Sequence, residues 1–182
     1  MHSSRHWSSN MTILGIGNVL QKDDGIGVYA ATYLQKNYTF TPEIEIINGG
    51  VEGINLFSVV ERSDTLLILD SIELGDEPGS IYLIPSHELG GHGLNSGGAH
   101  EIGVLQVLDM LELQGKPLPD TTVLGIIPHH ITFEMDLSST LKEAFEGYIN
   151  VALKFLKDAG VEVVPKEERV SLADIIWDVR RV

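Results

Sequence analysis

The sequence predicts an α/β fold in which a mostly parallel β-sheet is covered by helices on both faces. Short apolar runs alternate with segments of helical period, and 43% of the 182 residues are hydrophobic. Strands that alternate with helices form parallel sheets through helical crossovers. A chain of this length is expected to form one domain that buries about two-thirds of its surface.

The first half of the chain contains most of the predicted strands. The most apolar of them, "TLLILDSI" (65–72), has the continuous hydrophobic run that is typical of a strand buried on both faces. The segment "GSIYLIP" (79–85) follows too soon for a helical crossover, so we expect it to be an antiparallel neighbour of that strand. The predicted strands are 12–16, 43–47, 65–72 and 79–85, and the predicted helices are 25–36 and 52–61.

The second half of the chain alternates loops with longer elements. Residues 86–99 are glycine-rich and predict a loop, and the segment from Pro165 is charged and then amphipathic. The predicted helices are 101–114 and about 138–158, and the strand "TTVLGIIP" (121–128) lies between them. The chain shows no internal repeat and no convincing linker, as expected for one domain.

Composition excludes several functional classes. The 26 acidic and 12 basic residues give a net charge of −14, which disfavours binding to nucleic acids or anionic membranes and leaves a cation or a basic partner open. The absence of cysteine excludes disulfides, thiolate metal sites and a thiol nucleophile. No apolar run approaches the roughly 20 residues of a membrane span. Residues 1–10 lack the apolar core of a secretory signal, so we expect a cytoplasmic protein.

One glycine-rich turn, "GIGNVLQKDDGIGV" (15–28), carries two adjacent aspartates where a nucleotide-binding turn would hold phosphate. Its glycines lack the spacing G-x-G-x-x-G, and no Walker lysine–serine pair follows them. Negative charge at the start of a helix would also repel a pyrophosphate. The turn therefore disfavours a nucleotide-binding oxidoreductase and indicates a site for a cation.

Two carboxylates and one imidazole are predicted to meet at one edge of the sheet. Asp24 lies just after the first strand, Asp70 lies at the end of the third, and His100 precedes the helix after the glycine-rich loop. Functional groups in open parallel sheets gather beyond the carboxyl ends of the strands. This set of donors suits a divalent cation such as Zn²⁺ or Ni²⁺ with coordination positions left open.

Each of these three residues also has a structural interpretation. Asp24 is a favourable N-cap for the helix that follows it. Asp70 would be a hydrogen-bonded turn residue, and His100 would be a structural or exposed histidine at the start of a helix. The sequence leaves these alternatives open.

Other histidines form weaker motifs. The segment "HELGGH" (87–92) nearly matches the zinc-protease pattern H-E-x-x-H, but its second histidine comes one residue late and its glycines disfavour a helix, so we predict a loop. His129 and His130 follow Pro128 and either flank the site or are exposed loop residues. No G-x-S-x-G nucleophile motif occurs.

Five segments spaced along the chain carry a resemblance to a known family. They are "ILGIGNVLQKDDGIGV", "NGGVEGINL", "LLILDSI…PGSIYLI", "AHEIGVLQVLDML" and "LGIIP…LSSTLKEAF". In that order they resemble the hydrogenase maturation endopeptidases. The resemblance covers residues 11–164 as a single domain and leaves an extra N-terminal segment, 1–10, and a C-terminal tail, 165–182. It implies a three-layer sandwich with a twisted, mainly parallel five-stranded sheet flanked by helices on both faces.

The resemblance also implies an activity. A member of this family is a metal-dependent, aspartic-type endopeptidase that removes the C-terminal extension from the nickel-loaded precursor of the [NiFe]-hydrogenase large subunit. The family's metal-binding positions, and with them the catalytic site, fall on Asp24, Asp70 and His100. We expect the nickel to be supplied by the precursor, with a resident divalent cation as the alternative. We also expect water to be the nucleophile and the protein to be a monomer.

Two departures from the family pattern affect the expected specificity for the partner more than the expected metal site. His129 and His130 stand where an acidic residue is frequent, and Asp136 stands where glycine is common. Loops on a rigid sheet commonly carry specificity, so we expect loops 86–99 and 129–137 to select the precursor. The alternative function is a nickel-dependent chaperone or binding module that recognises the precursor without cutting it.

Overall fold

A computed structural model describes residues 10–50, 56–89 and 103–181 and confirms the α/β class. The strands are β1 (Met11–Ile16), β2 (Tyr38–Thr41), β3 (Glu45–Gly50), β4 (Thr65–Ser71), β5 (Ile81–Pro85), β6 (Asp120–Ile126) and β7 (Glu162–Pro165). The helices are α1 (Ile26–Asn37), α2 (Leu56–Arg62), α3 (Val104–Leu113), α4 (Ser139–Asp158) and α5 (Leu172–Arg180). None of the helices in these ranges is long and apolar enough to cross a bilayer.

The main sheet has five strands in the order β3-β1-β4-β6-β5, and all neighbours except β5 and β6 run parallel. Strands β1 and β4 are buried at every position. This burial explains their continuous apolar sequences, because helices cover both faces of the strands. The predicted mainly parallel five-stranded sheet is therefore confirmed.

The prediction for segment 79–85 gave the correct strand direction but the wrong neighbouring strand. Strand β5 is antiparallel, but it pairs with β6 rather than with β4. Strand β6 lies between them, with Asp70 of β4 opposite Gly125 and Ile81 of β5 opposite Ile126. Most of β6 is buried, whereas β5 is only partly buried. The more apolar strand occupies the inner position.

Alternating side chains of the central strands divide the core into two clusters, one on each face. Leu67 and Leu69 point to the face covered by α1, α4 and α5. Leu66 and Ile68 point to the opposite face, under α2 and α3. Because strand side chains alternate, one apolar strand serves both layers. The predicted three-layer arrangement follows from this alternation.

Several boundaries differ from the prediction. The strand predicted at 43–47 is β3, which starts later because its pairing with β1 runs from Thr12–Glu45 to Ile16–Gly50. The helix predicted at 52–61 is described from Leu56, and the helix predicted at 101–114 is described from Val104. Residues 52–55 and 101–102 of these predictions lie outside the described ranges, and Gly103 and Gln114 are the N-cap and C-cap of α3.

Two features were not predicted as secondary structure. Strands β2 and β7 form a separate antiparallel pair, although they lie far apart in the sequence. The amphipathic part of the tail forms α5, whose N-cap Ser171 accepts a hydrogen bond from the Asp174 amide over 3.1 Å. Ile175 and Ile176 of α5 are buried in the core beside α1.

Candidate active site

Glycines allow the turn after β1 to pack closely against the sheet. Gly17 has a φ of 134°, and a Cβ at this position would lie 1.8 Å from the Asp24 carbonyl oxygen. A Cβ on Gly27, in the first turn of α1, would lie 2.1 Å from the Leu69 carbonyl oxygen. Larger residues at either position would displace the backbone. The glycines therefore bring α1 and the acidic turn against the carboxyl end of β4.

Asp24 lies in the 3-10 turn Lys22–Gly25 and is 4% exposed. One carboxylate oxygen, Oδ2, accepts a hydrogen bond from the Asn18 amide at 2.9 Å. The other, Oδ1, accepts a hydrogen bond from the Ser71 hydroxyl at 3.3 Å. Both contacts direct the carboxylate toward the edge of the sheet.

The interpretation of Asp24 as a helix cap is wrong. Helix α1 begins at Ile26, its N-cap is Gly25, and no side chain caps it. The 3-10 turn inserts one residue between Asp24 and the helix, so the carboxylate bonds to Asn18 and Ser71 instead of to the first amides of α1. A buried carboxylate that does not cap requires another explanation.

Asp70 lies one residue before the end of β4 and is 2% exposed. Its Oδ1 accepts a hydrogen bond from the Ser71 amide at 2.8 Å. Ser71 therefore contacts both carboxylates, Asp70 through its backbone N–H and Asp24 through its hydroxyl. The structure brings Asp24 and Asp70 to the same edge of the sheet, as expected. Since the bond to the next residue is also typical of a turn aspartate, the structural interpretation of Asp70 stays open.

His100, the third predicted site residue, lies outside the described residues. Within the described ranges, no group of three or more histidine, aspartate or glutamate side chains is placed to hold a metal ion. The described part of the site therefore offers two carboxylates. The complete trio remains a prediction.

Tyr148 of α4 lies beneath the carboxyl ends of β4 and β6. It is fully buried, and its hydroxyl donates to the Leu124 carbonyl at 2.8 Å, with the Asp70 carbonyl at 3.4 Å. Burial raises the pKa of Tyr148 well above its usual value, and the negative charge of Asp70 acts in the same direction. The phenol therefore stays neutral and holds the two strand ends together as a hydrogen-bond donor.

Asp23 is the residue that the sequence analysis missed. It is completely buried, and its Oδ2 accepts hydrogen bonds from the His129 and His130 amides, each at 2.9 Å. Ser138, the N-cap of α4, donates its amide to Oδ1 at 2.7 Å and its hydroxyl to Oδ2 at 2.8 Å. Asp23 thus joins the acidic turn to the 129–137 loop and to the start of α4.

The acidic doublet itself was the available signal for this role. Side chains of consecutive residues in a 3-10 turn point about a third of a turn apart, so the two adjacent aspartates face different neighbours. Asp24 faces Ser71 at the end of β4, and Asp23 faces the 129–137 loop. The doublet therefore encodes two different contacts.

Among the remaining histidine motifs, His129 and His130 contact the buried carboxylate of Asp23 through their backbone amides. His129 and His130 are exposed, and their ring centroids lie 3.9 Å apart. His87 is exposed in the 3-10 turn Ser86–Leu89, and His92 is not described. The interpretation of His129 and His130 as exposed loop residues is confirmed.

Comparisons with known proteins decide the family. A model of the hydrogenase maturation proteases matches residues 28–155, which is most of the chain. The chain belongs to the hydrogenase maturation protease family. The hydrogenase 2 maturation protease of Escherichia coli strain K12 is 30% identical over 156 residues, which cover 85% of this chain and 95% of that one.

Solved structures agree with this membership. The hydrogenase maturating endopeptidase from E. coli has a TM-score of 0.79 at 28% identity, over 86% of this chain and 98% of that one. The [NiFe] hydrogenase maturation protease of Thermococcus kodakarensis KOD1 has a TM-score of 0.65 at 24% identity, over 84% of this chain and 95% of that one, and supports the fold alone. As a member of the hydrogenase maturation protease family, the chain is a hydrolase of the endopeptidase class.

Proposed function

We propose that this protease removes the C-terminal extension from the nickel-loaded precursor of a [NiFe]-hydrogenase large subunit. Family membership supports the activity. The observation that carries the proposal is the pair of buried carboxylates, Asp24 and Asp70, both bonded to Ser71 at the carboxyl edge of the sheet. Burying two carboxylates so close together is costly unless a cation compensates them.

The donor set of this site fits a divalent metal. Each Asp24 oxygen accepts one hydrogen bond among the described contacts, and a carboxylate oxygen has lone pairs for a further partner. In the proposal, Asp24, Asp70 and His100 bind the nickel that the precursor carries. Carboxylate and imidazole ligands are compatible with Ni²⁺ and with Zn²⁺. A bound metal of this kind polarises a carbonyl, lowers the pKa of water or orients the substrate.

The proposed reaction is hydrolysis by water. A water oxygen adds to the scissile carbonyl carbon, the C–N bond breaks, and the released amine takes up a proton. The chain has no cysteine that would act as a thiol nucleophile. This chemistry defines the proposed class as a metal-dependent, aspartic-type endopeptidase in which the aspartates bind metal rather than attack the peptide.

A mass measurement tests the activity. Purified protein is incubated with nickel-loaded precursor, and intact-mass spectrometry follows the loss of the C-terminal extension. We expect cleavage of the nickel-loaded precursor and none of the nickel-free precursor. A stable complex without a mass change would instead support the non-cleaving chaperone.

A second experiment separates substrate nickel from a resident metal. The enzyme is treated with a chelator, the chelator is removed, and nickel-loaded precursor is added. We expect cleavage at the untreated rate, because the metal arrives with the substrate. Loss of cleavage that is restored by added Zn²⁺ or Ni²⁺ would show that a resident metal is required.

We also propose that the enzyme is a monomer and that it processes the precursor in the cytoplasm. Size-exclusion chromatography with light scattering tests the oligomeric state of the purified protein. A dimer at assay concentration would contradict the monomer. Cell fractionation tests the location.

A further inference from the structure

The 129–137 loop is held at both ends and in its middle, and its tip, residues 131–133, lies within an exposed stretch. Asp23 binds the amides of His129 and His130 at one end of the loop. In the middle, the Glu134 amide donates to the Leu20 carbonyl at 2.9 Å, and the Lys22 amide donates to the Glu134 carbonyl at 2.8 Å. The loop is therefore a fixed structure beside the acidic turn.

The tip presents apolar side chains to solvent. Phe133 is 87% exposed and Ile131 is 43% exposed. Aromatic side chains are enriched at protein interfaces, and loops on a rigid scaffold commonly carry binding residues. The precursor is the partner that the proposed function supplies.

Helix α5 reaches this loop from the C-terminal tail. Asn37, the last residue of α1, is fully buried and bonds to both backbone groups of Val170, accepting from its amide at 2.7 Å and donating to its carbonyl at 3.0 Å. Ile175 and Ile176 then bury the inner face of α5 against the core. These contacts place the last turn of α5 against the 129–137 loop.

Arg180 makes the contact between the two elements. Its Nε donates to the Met135 carbonyl at 2.6 Å, and its guanidinium pairs with Asp136 Oδ2 at 3.1 Å. Lys142 of α4 pairs with the other oxygen of Asp136 at 3.0 Å. Partial burial acts to raise the pKa of Asp136. Hydrogen bonds from Lys142 and the Leu137 amide, together with the positive charges of Lys142 and Arg180, lower this pKa overall. Asp136 is therefore ionised at neutral pH.

One partner in this contact lies outside the match to the family model. Helix α5 lies after residue 155, where that match ends. Its Arg180 binds Asp136 in the 129–137 loop. The contact therefore joins the loop to a helix beyond the matched residues.

We propose that Arg180 is a positioning residue that fixes the 129–137 loop, through Met135 and Asp136, in the conformation whose tip binds the precursor. The proposal rests on the proposed function, because it takes the precursor as the partner of the tip. Arg180 itself does not touch substrate in this scheme. Its loss should weaken precursor binding and leave the chemical step unchanged.

The test compares Arg180→Met with Arg181→Met, which removes the charge of the exposed neighbouring arginine. We expect Arg180→Met to raise the KM for nickel-loaded precursor about two- to fivefold, which is within the range of one partly exposed ionic contact. The kcat should stay within about twofold, because the catalytic groups are untouched. Arg181→Met should change neither constant. Arg180→Lys, which keeps the charge and loses the planar fork, should give an intermediate KM.

A double-mutant cycle and hydrogen exchange decide whether Arg180 acts through Asp136. The KM effects of Arg180→Met and Asp136→Asn should be less than additive, because both remove the same contact. Exchange at the amides of 131–137 should accelerate in Arg180→Met and not in Arg181→Met. Additive effects, unchanged exchange, or a fall in kcat at constant KM would each overturn the proposal.

The proposed function is judged separately in the same series. If wild-type protein leaves the precursor uncut, the proposed function fails. The affinity of the same precursor and the exchange of the loop then decide the role of Arg180. An affinity that is equal in wild type and Arg180→Met would overturn the positioning role whether or not cleavage occurs.

Discussion

The substitution Asp24→Asn separates a metal ligand from a structural carboxylate. It keeps the size of the side chain and removes its charge. The asparagine oxygen can still accept from the Asn18 amide, and the Ser71 hydroxyl can accept from the new amide group where it now donates. The substituted side chain therefore keeps two hydrogen bonds.

The expected change in stability is small. The loss is limited to the ionic part of two hydrogen bonds, about 1 kcal/mol, and removal of a buried charge offsets part of it. For a domain of this size, 1 kcal/mol corresponds to about 2–4 °C in Tm. The rate of processing should fall far more, by at least about 100-fold. Mutation of even an outer-shell partner of a metal commonly lowers metal affinity or activity about 10–100-fold.

Asp23→Asn is the matched control, one residue earlier in the same turn. The Asp23 carboxylate accepts four hydrogen bonds, so an amide group must meet a donor at one of its two oxygens. If the asparagine oxygen serves His129 and His130, the new N–H faces the Ser138 amide. We expect a loss of about 2–3 kcal/mol, which corresponds to about 4–12 °C in Tm.

The assay pairs thermal unfolding by circular dichroism with the rate of precursor cleavage by intact mass. The expected pattern is a stable, inactive Asp24→Asn and a destabilised Asp23→Asn. Cleavage by Asp24→Asn at the wild-type rate would refute the metal-binding role. A loss of stability equal to that of Asp23→Asn would show that Asp24 is structural, and the reasoning from its hydrogen bonds would then fail.

Three further predictions concern the same site. Ser71→Ala removes the hydroxyl bonded to Asp24 and keeps the amide bonded to Asp70, so we expect processing to fall about tenfold with little change in Tm; an unchanged rate would show that the hydroxyl does not orient Asp24. Asp70→Asn and His100→Ala should each abolish processing in protein that remains folded by circular dichroism, and activity in either variant would remove that residue from the site. Replacing 129–137 by the segment of the E. coli hydrogenase 2 maturation protease should change which precursor is cut and leave nickel affinity, measured by titration, intact; unchanged selectivity would count against the loop.

The sheet and the meeting of Asp24 with Asp70 were predictable because they depend on local patterns. Continuous apolar runs identified β1 and β4, and parallel strands end at a common edge. Residues that follow those strands therefore had to lie near one another. Ser71, which bonds both carboxylates, adds a detail that the pattern did not contain.

Contacts between distant segments were not predictable from the same patterns. Asp23 binds residues that are 106 to 115 positions away, and its neighbour Asp24 has the same chemistry. Arg180 binds the Met135 carbonyl, 45 positions away, from a tail whose amphipathic pattern indicated only that one face is buried. The position of β6 between β4 and β5 also depended on the relative burial of strands far apart in the chain.

The acidic turn gives the candidate site and the 129–137 loop a common support. Its second aspartate faces the end of β4, and its first binds the loop and the N-cap of α4. Since a single 3-10 turn carries both residues, the loop cannot shift relative to the carboxylates without breaking buried hydrogen bonds to Asp23. A precursor that docks on the exposed tip therefore approaches Asp24 and Asp70 in a fixed register. Recognition by the loop and binding of the precursor's metal would then depend on the same turn.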